Sequence, residues 1–144
     1  MERAYLKVLL VDDDVTDREL FMDAIRLAGK KYVVTEASNG IEAMTYLKET
    51  DELPHLIILD LNMPVKDGRE TLREIKQHES FRKIPVCIMS TSGSPFDIES
   101  AYNNGANLFL VKPLDFKELI EMSTSLLSLF HKFVSLPEKH VVKK

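Results

Sequence analysis

Five side chains able to do chemistry share one placement: each stands at the end of a short apolar run. Asp12 and Asp13 follow YLKVLLV, Asp60 follows LIIL, Ser90 closes VCIMS, and Lys112 follows NLFLV. Asp12, Asp13 and Asp14 are consecutive, and three adjacent acids repel one another unless something positive lies between them. Asp14 is accounted for as a helix N-cap, with Asp17 three residues on. That leaves Asp12 and Asp13, and a hard cation such as Mg²⁺, which prefers oxygen ligands, accounts for them. Asp60 needs a cation or a reaction as well, because burying an unpaired carboxylate is expensive. Three carboxylates around Mg²⁺, with one ammonium and one hydroxyl, describe a site for phosphoryl transfer. The metal and the ammonium offset charge on the equatorial oxygens, and the hydroxyl donates to one of them. A carboxylate can be the nucleophile, forming an aspartyl-phosphate.

These groups meet only if the runs that carry them are parallel strands of one sheet, since parallel strands bring their carboxyl ends to one edge. The pattern supports this. Leu56–Leu59 is unbroken by polar residues, as in a strand buried on both faces, and Asn62-Met63-Pro64 ends it. Between the runs lie helical spacings: Leu20, Phe21, Ala24, Ile25 and Ala28 ending at Gly29, then Ile41–Lys48, then a helix from Asp67 and Glu70 through Leu72, Ile75 and His78. A short helix follows Ser94-Pro95 and ends at Gly105, and a last one starts at Asp115 with Glu118 and runs to about Val134. Residues 31–37 read as a further strand. Strand and helix alternate five times, which gives an α/β layer sandwich with right-handed crossovers.

The 144 residues make one domain with room for a core, 44% hydrophobic and 29% charged. A net charge of −4 without a basic cluster argues against nucleic acid as a partner. No apolar run approaches the roughly 20 residues of a membrane span, and the N-terminus lacks the features of a signal peptide. The single cysteine, Cys87, rules out an internal disulfide and reads as core; the expected compartment is the reducing cytoplasm. The histidines at 55, 78, 131 and 140 have no ligand spacing and read as surface or helix-face residues.

From about Tyr5 to Val134 the chain resembles the response-regulator receiver domains of two-component signalling. LLVDDD, LIILDLNMPVKDG, CIMSTS and FLVKP carry the resemblance at that family's spacing, and they are specific in combination. It implies a flavodoxin-like (βα)5 three-layer sandwich with strand order 2-1-3-4-5. It also implies that Asp60 accepts the phosphoryl group, that Asp13, Asp60 and the Asn62 carbonyl bind Mg²⁺, and that Asp12 acts on the metal through water. Ser90 would be the switch hydroxyl, Phe109 the switch aromatic, and Lys112 the phosphoryl contact, followed by a cis bond to Pro113. Such a protein takes phosphate from a sensor histidine kinase and signals by binding proteins; it catalyses only its own phosphorylation and slow dephosphorylation. The STSGS run, GRETLREIK and a last helix ending near Leu-Pro resemble single-domain receivers that partner phytochrome-type kinases. Thr91 departs from the family's usual alanine, and its bulk is expected to narrow the path to Asp60. A relay passing phosphate to a histidine phosphotransfer protein remains an alternative. A phosphatase of the haloacid-dehalogenase type would need an acid where Asn62 stands. A flavodoxin would need a phosphate loop where the three acids stand.

The last helix carries two apolar rows. Phe116, Leu119, Ile120, Ser123, Leu127, Phe130 and Val134 make a stripe for the sheet. Met122, Leu126, Leu129 and Phe133 lie roughly a quarter-turn away, so one sheet contact does not cover both. An exposed apolar row marks an interface, and the expectation is a two-fold homodimer through this helix. The competing expectation is that the tail, through Leu136, Val141 and Val142, folds over the row. The domain is expected over residues 1–136, with 137–144 an irregular tail and no output domain.

Overall fold

The computed structural model describes residues 3–29, 31–63 and 65–137. The elements alternate as expected: β1 (Leu6–Val11), α1 (Val15–Ala28), β2 (Tyr32–Ala37), α2 (Gly40–Glu49) and β3 (Leu56–Leu59). They continue with α3 (Gly68–Gln77), β4 (Val86–Ser90), α4 (Pro95–Asn103), β5 (Leu108–Val111) and α5 (Phe116–Lys132). All strand pairs are parallel, and the sheet order is β2-β1-β3-β4-β5. The fold is the flavodoxin-like (βα)5 sandwich.

Strand periodicity divides the core into two layers, because successive side chains point to opposite faces. Leu9, Val11, Ile57, Leu59, Val86 and Ile88 face α2, α3 and α4, packing on Met44, Leu47, Leu72, Ile75 and Ala101. Leu6, Val8, Leu10, Leu56, Ile58, Cys87 and Met89 face α1 and α5, packing on Phe21, Ala24, Ile25, Leu119, Leu127 and Phe130. Cys87 is buried and free, and burial pushes its thiol up to about 12, so it is core.

Every helix start has a capping side chain, which satisfies amides the helix itself leaves unpaired. Asp14, Asp67, Ser94 and Asp115 cap α1, α3, α4 and α5, and Asn39 caps α2. The C-terminus of α5 is closed by the other end of the chain. The Arg3 guanidinium donates to the carbonyls of Phe130 and Val134, and the Arg3 amide donates to His131 O at 3.0 Å.

Three expectations need correction. Leu126 is 6% exposed and belongs to the cluster that α1 and α5 share with the sheet, so it is not on an open row. The reason is that α1 lies on the same sheet face and packs against α5. Met122 is half-buried against that cluster for the same reason, while Leu129 and Phe133 are 49% and 71% exposed. His131 is not at the surface: it is 2% exposed, its ring edge-on to Tyr32 with centroids 5.9 Å apart. No cis peptide bond occurs among the described residues, so Lys112–Pro113 is trans, the lower-energy isomer of an X–Pro bond. The expected tail from 138 on, with His140, Val141 and Val142, lies outside the described residues.

Candidate phosphoryl-transfer site

Backbone pairing puts the acids side by side at the carboxyl edge. The Asp60 amide donates to Val11 O at 2.9 Å, which sets it next to Asp12, and the Asp12 amide donates to Ala37 O at 3.1 Å. On the other side the Lys112 amide donates to Ser90 O at 2.7 Å, joining the ends of β4 and β5. The expected residues Asp12, Asp13, Asp60, Ser90 and Lys112 therefore share one edge of the sheet.

Asp12, Asp13 and Asp60 each offer a carboxylate oxygen, and these lie within 4.8 Å of one another. Three hard oxygen donors at that spacing suit one divalent cation of the Mg²⁺ type. Asn62 follows two residues after Asp60, its amide donating to Asp60 Oδ1 at 3.4 Å. Asp12 is 5% exposed and accepts from the Asp14 amide at 2.9 Å. Burial holds its carboxyl above the usual range, against the Asp14 amide and Lys112. Asp60 is pushed up to about 6, first by burial and then by the neighbouring Asp12 charge, with Lys112 pulling the other way. Two close carboxylates of raised pKa make an electronegative pocket that a cation relieves.

The Lys112 ammonium lies 3.1 Å from Asp12 Oδ2 and 3.1 Å from Asp17 Oδ2. Burial lowers its pKa, but the Asp12 and Asp17 carboxylates outweigh that and raise it. Asp17 is the residue that reading the motifs missed. As an acid in a helix's first turn it has a sufficient explanation in the helix dipole, and nothing in its spacing points to a lysine far along the chain.

Ser90 is fully buried, and its Oγ accepts from the Ser92 amide at 3.2 Å. Thr91 is exposed and borders a cavity of ≈ 190 Å³ beside Asp60. Leu10, Leu20, Phe21, Ile58, Met89 and Leu119 wall it, so the threonine stands at the rim. Phe109 is half-buried against the α2–α3–α4 layer. Its outward amide donates to the Tyr102 hydroxyl at 3.1 Å, which ties α4 to the edge strand. Two features of the β3–α3 connection hold the acceptor in place. Gly68 passes so close to the Asp60 backbone that a Cβ would meet Asp60 O at 2.0 Å, and the Gly68 amide donates to Leu61 O at 2.9 Å. Val65 adopts φ +71° and is 79% exposed.

Known proteins resemble this chain in sequence and in fold. The chain is 34% identical to response regulator Rcp1 of Synechocystis sp. over 135 residues, covering 90% of this chain and 92% of that protein. It superposes on the phosphorylated cyanobacterial phytochrome response regulator RcpA with TM-score 0.86 at 34% identity, covering 94% of this chain and all of that one. The Mn²⁺-bound form of Rcp1 superposes with TM-score 0.82 at 33% identity, over 92% of this chain and 99% of that one. The family model of the response regulator receiver domain matches residues 8–124, from the second residue of β1's apolar core into α5. By fold, by motif and by these relatives, the chain belongs to the response-regulator receiver domain family.

Proposed function

We propose that the protein is a phospho-accepting signalling switch in which Asp60 takes a phosphoryl group from a sensor histidine kinase. The observation that carries this reading is the meeting of Asp12, Asp13 and Asp60 within 4.8 Å, with the Lys112 ammonium on Asp12. Asp60 Oδ attacks phosphorus as the bond to the donor's leaving atom breaks. Asp12, Asp13, Asp60 and the Asn62 carbonyl would hold Mg²⁺, whose charge offsets that of the phosphoryl oxygens. Lys112 and the Ser90 hydroxyl supply the remaining donors. Once Ser90 turns toward the phosphoryl group, Phe109 fills the space left behind, and the altered α4–β5–α5 surface is what partners read.

The likeness to Rcp1 and RcpA supports a phytochrome-type kinase as the donor and a stand-alone receiver as the working unit. No helix among the described residues is long and apolar enough to cross a membrane. We place the protein in the cytoplasm, acting through other proteins rather than nucleic acid, and catalysing only its own phosphorylation and slow dephosphorylation. Intact-mass spectra with acetyl phosphate test the reading. Wild type should gain one phosphoryl group only when Mg²⁺ is present, and Asp60→Asn should gain none; equal yield on the variant removes Asp60 as the acceptor.

A further inference from the structure

We propose that Asp17 is a positioning residue for Lys112, holding its ammonium off Asp60 in the resting protein and thereby setting the rate of phosphoryl uptake. The inference rests on Asp60 being the acceptor. Among the described residues the ion pairs of Lys112 are to Asp12 and Asp17, each at 3.1 Å; Asp60 feels the ammonium only as a nearby charge. The two anchors are unequal. Asp12 is one of the three acids close enough to share a cation, and Asp17 is not. Whatever occupies that group draws on Asp12, while Asp17 stays the lysine's own partner.

The position of Asp17 does not depend on the lysine. Its amide donates to the Asp14 cap at 3.1 Å, so α1's first turn sets where the carboxylate stands. The side chain can thus be changed without removing the cap. In the transfer the Asp60 Oδ–P bond forms as the P–O bond of an acyl phosphate donor breaks, and the leaving group departs as a carboxylate. Lys112 gives up no proton; its ammonium pairs with charge on the phosphoryl oxygens. To reach them it must leave Asp17 and break a charge-assisted hydrogen bond in a partly buried setting, where the lysine side chain is 14% exposed. That bond is present before the transition state and lost in it, so it slows the reaction.

The test is a mass-spectrometric time course with acetyl phosphate and Mg²⁺. Asp17→Asn and Asp17→Ser should be phosphorylated about tenfold faster than wild type, the size of one partly screened charge-assisted hydrogen bond. Asp17→Glu, which keeps the carboxylate, should stay close to wild type. In a Lys112→Ala background Asp17→Asn should bring no gain, because the effect runs through the lysine. A purely structural role for Asp17 would lower the melting temperature without any gain in rate. Uncharged variants no faster than wild type, or an equal gain in the Lys112→Ala background, overturn the proposal. The wild-type protein offers an independent check: a scalar coupling between Lys112 Nζ and the Asp17 carboxylate carbon in NMR spectra, whose absence also overturns it. Should wild type take up no phosphoryl group, the acceptor reading itself fails and this inference with it.

Discussion

A side-chain carbon on Gly68 would stand 2.0 Å from the carbonyl oxygen of Asp60. The obstacle is backbone, not the far end of a side chain, so it cannot turn aside. Gly68→Ala must push the start of α3 away from the acceptor loop, and overpacking of this kind costs about 2–3 kcal/mol. Urea unfolding should show a lower midpoint with an unchanged slope. A midpoint equal to wild type would mean that the loop yields freely.

The charge on Asp60 opposes folding when no cation is present. Its carboxyl is raised from 3.8 to about 6, so between those values the folded protein keeps a proton that the unfolded chain has released. Stability therefore falls as pH rises through about 4 to 6, and the full penalty persists above. In EDTA at pH 7.5, Asp60→Asn should be more stable than wild type by about 1–2 kcal/mol, allowing for solvent screening. Thermal melts should show the gap closing toward pH 4. A gap that is the same at both pH values would assign it to something other than ionisation.

Val65 is a β-branched residue at φ +71°. That region costs an L-residue about 1–2 kcal/mol, and a branched Cβ makes it worse. Because the side chain is exposed, little packing is lost on removing it. Val65→Gly should raise stability by about 0.5–1 kcal/mol after the entropy of a freer unfolded chain is counted. Denaturant titration decides it, and a loss of stability would show that the valine makes contacts worth more than the strain.

The two halves of the second apolar row on α5 should behave differently. Leu126→Glu buries a charge in the α1–α5 layer and should unfold the protein or cost about 3 kcal/mol or more. Leu129→Glu with Phe133→Glu changes exposed positions, and should leave the melting temperature nearly unchanged. We expect that double variant to sediment as a monomer where wild type sediments as a dimer, at tens of micromolar. Wild type sedimenting as a monomer there would count against a constitutive dimer through α5.

The alternation of strands and helices and the edge that gathers the acids were legible because they depend on local signals, while the strand order came only with the resemblance to receiver domains. Apolar runs ending in Asp60 or Lys112, and caps such as Asp67 and Ser94, act within a few residues of themselves. What was not legible depends on which element comes to lie beside which. Helical period separates two faces of α5, but it does not say that α1 closes over Leu126, and the same contact hides part of Met122. His131 is polar in type, and only the packing against Tyr32 shows that it is inside. Asp17 carries no mark of its tie to Lys112, since the two stand far apart in the chain. Nor does Val65 look like a residue at positive φ, where glycine or asparagine is usual.

Arg3 fastens the carbonyls of Phe130 and Val134, so the last helix is finished by the first residues of the chain. In a chain made from its N-terminus, that arginine emerges long before its acceptors exist and must wait unpaired until nearly the whole sheet has been assembled. The stitch can close only once α5 has been made, and it then ties Arg3, ahead of β1, to the end of the last helix.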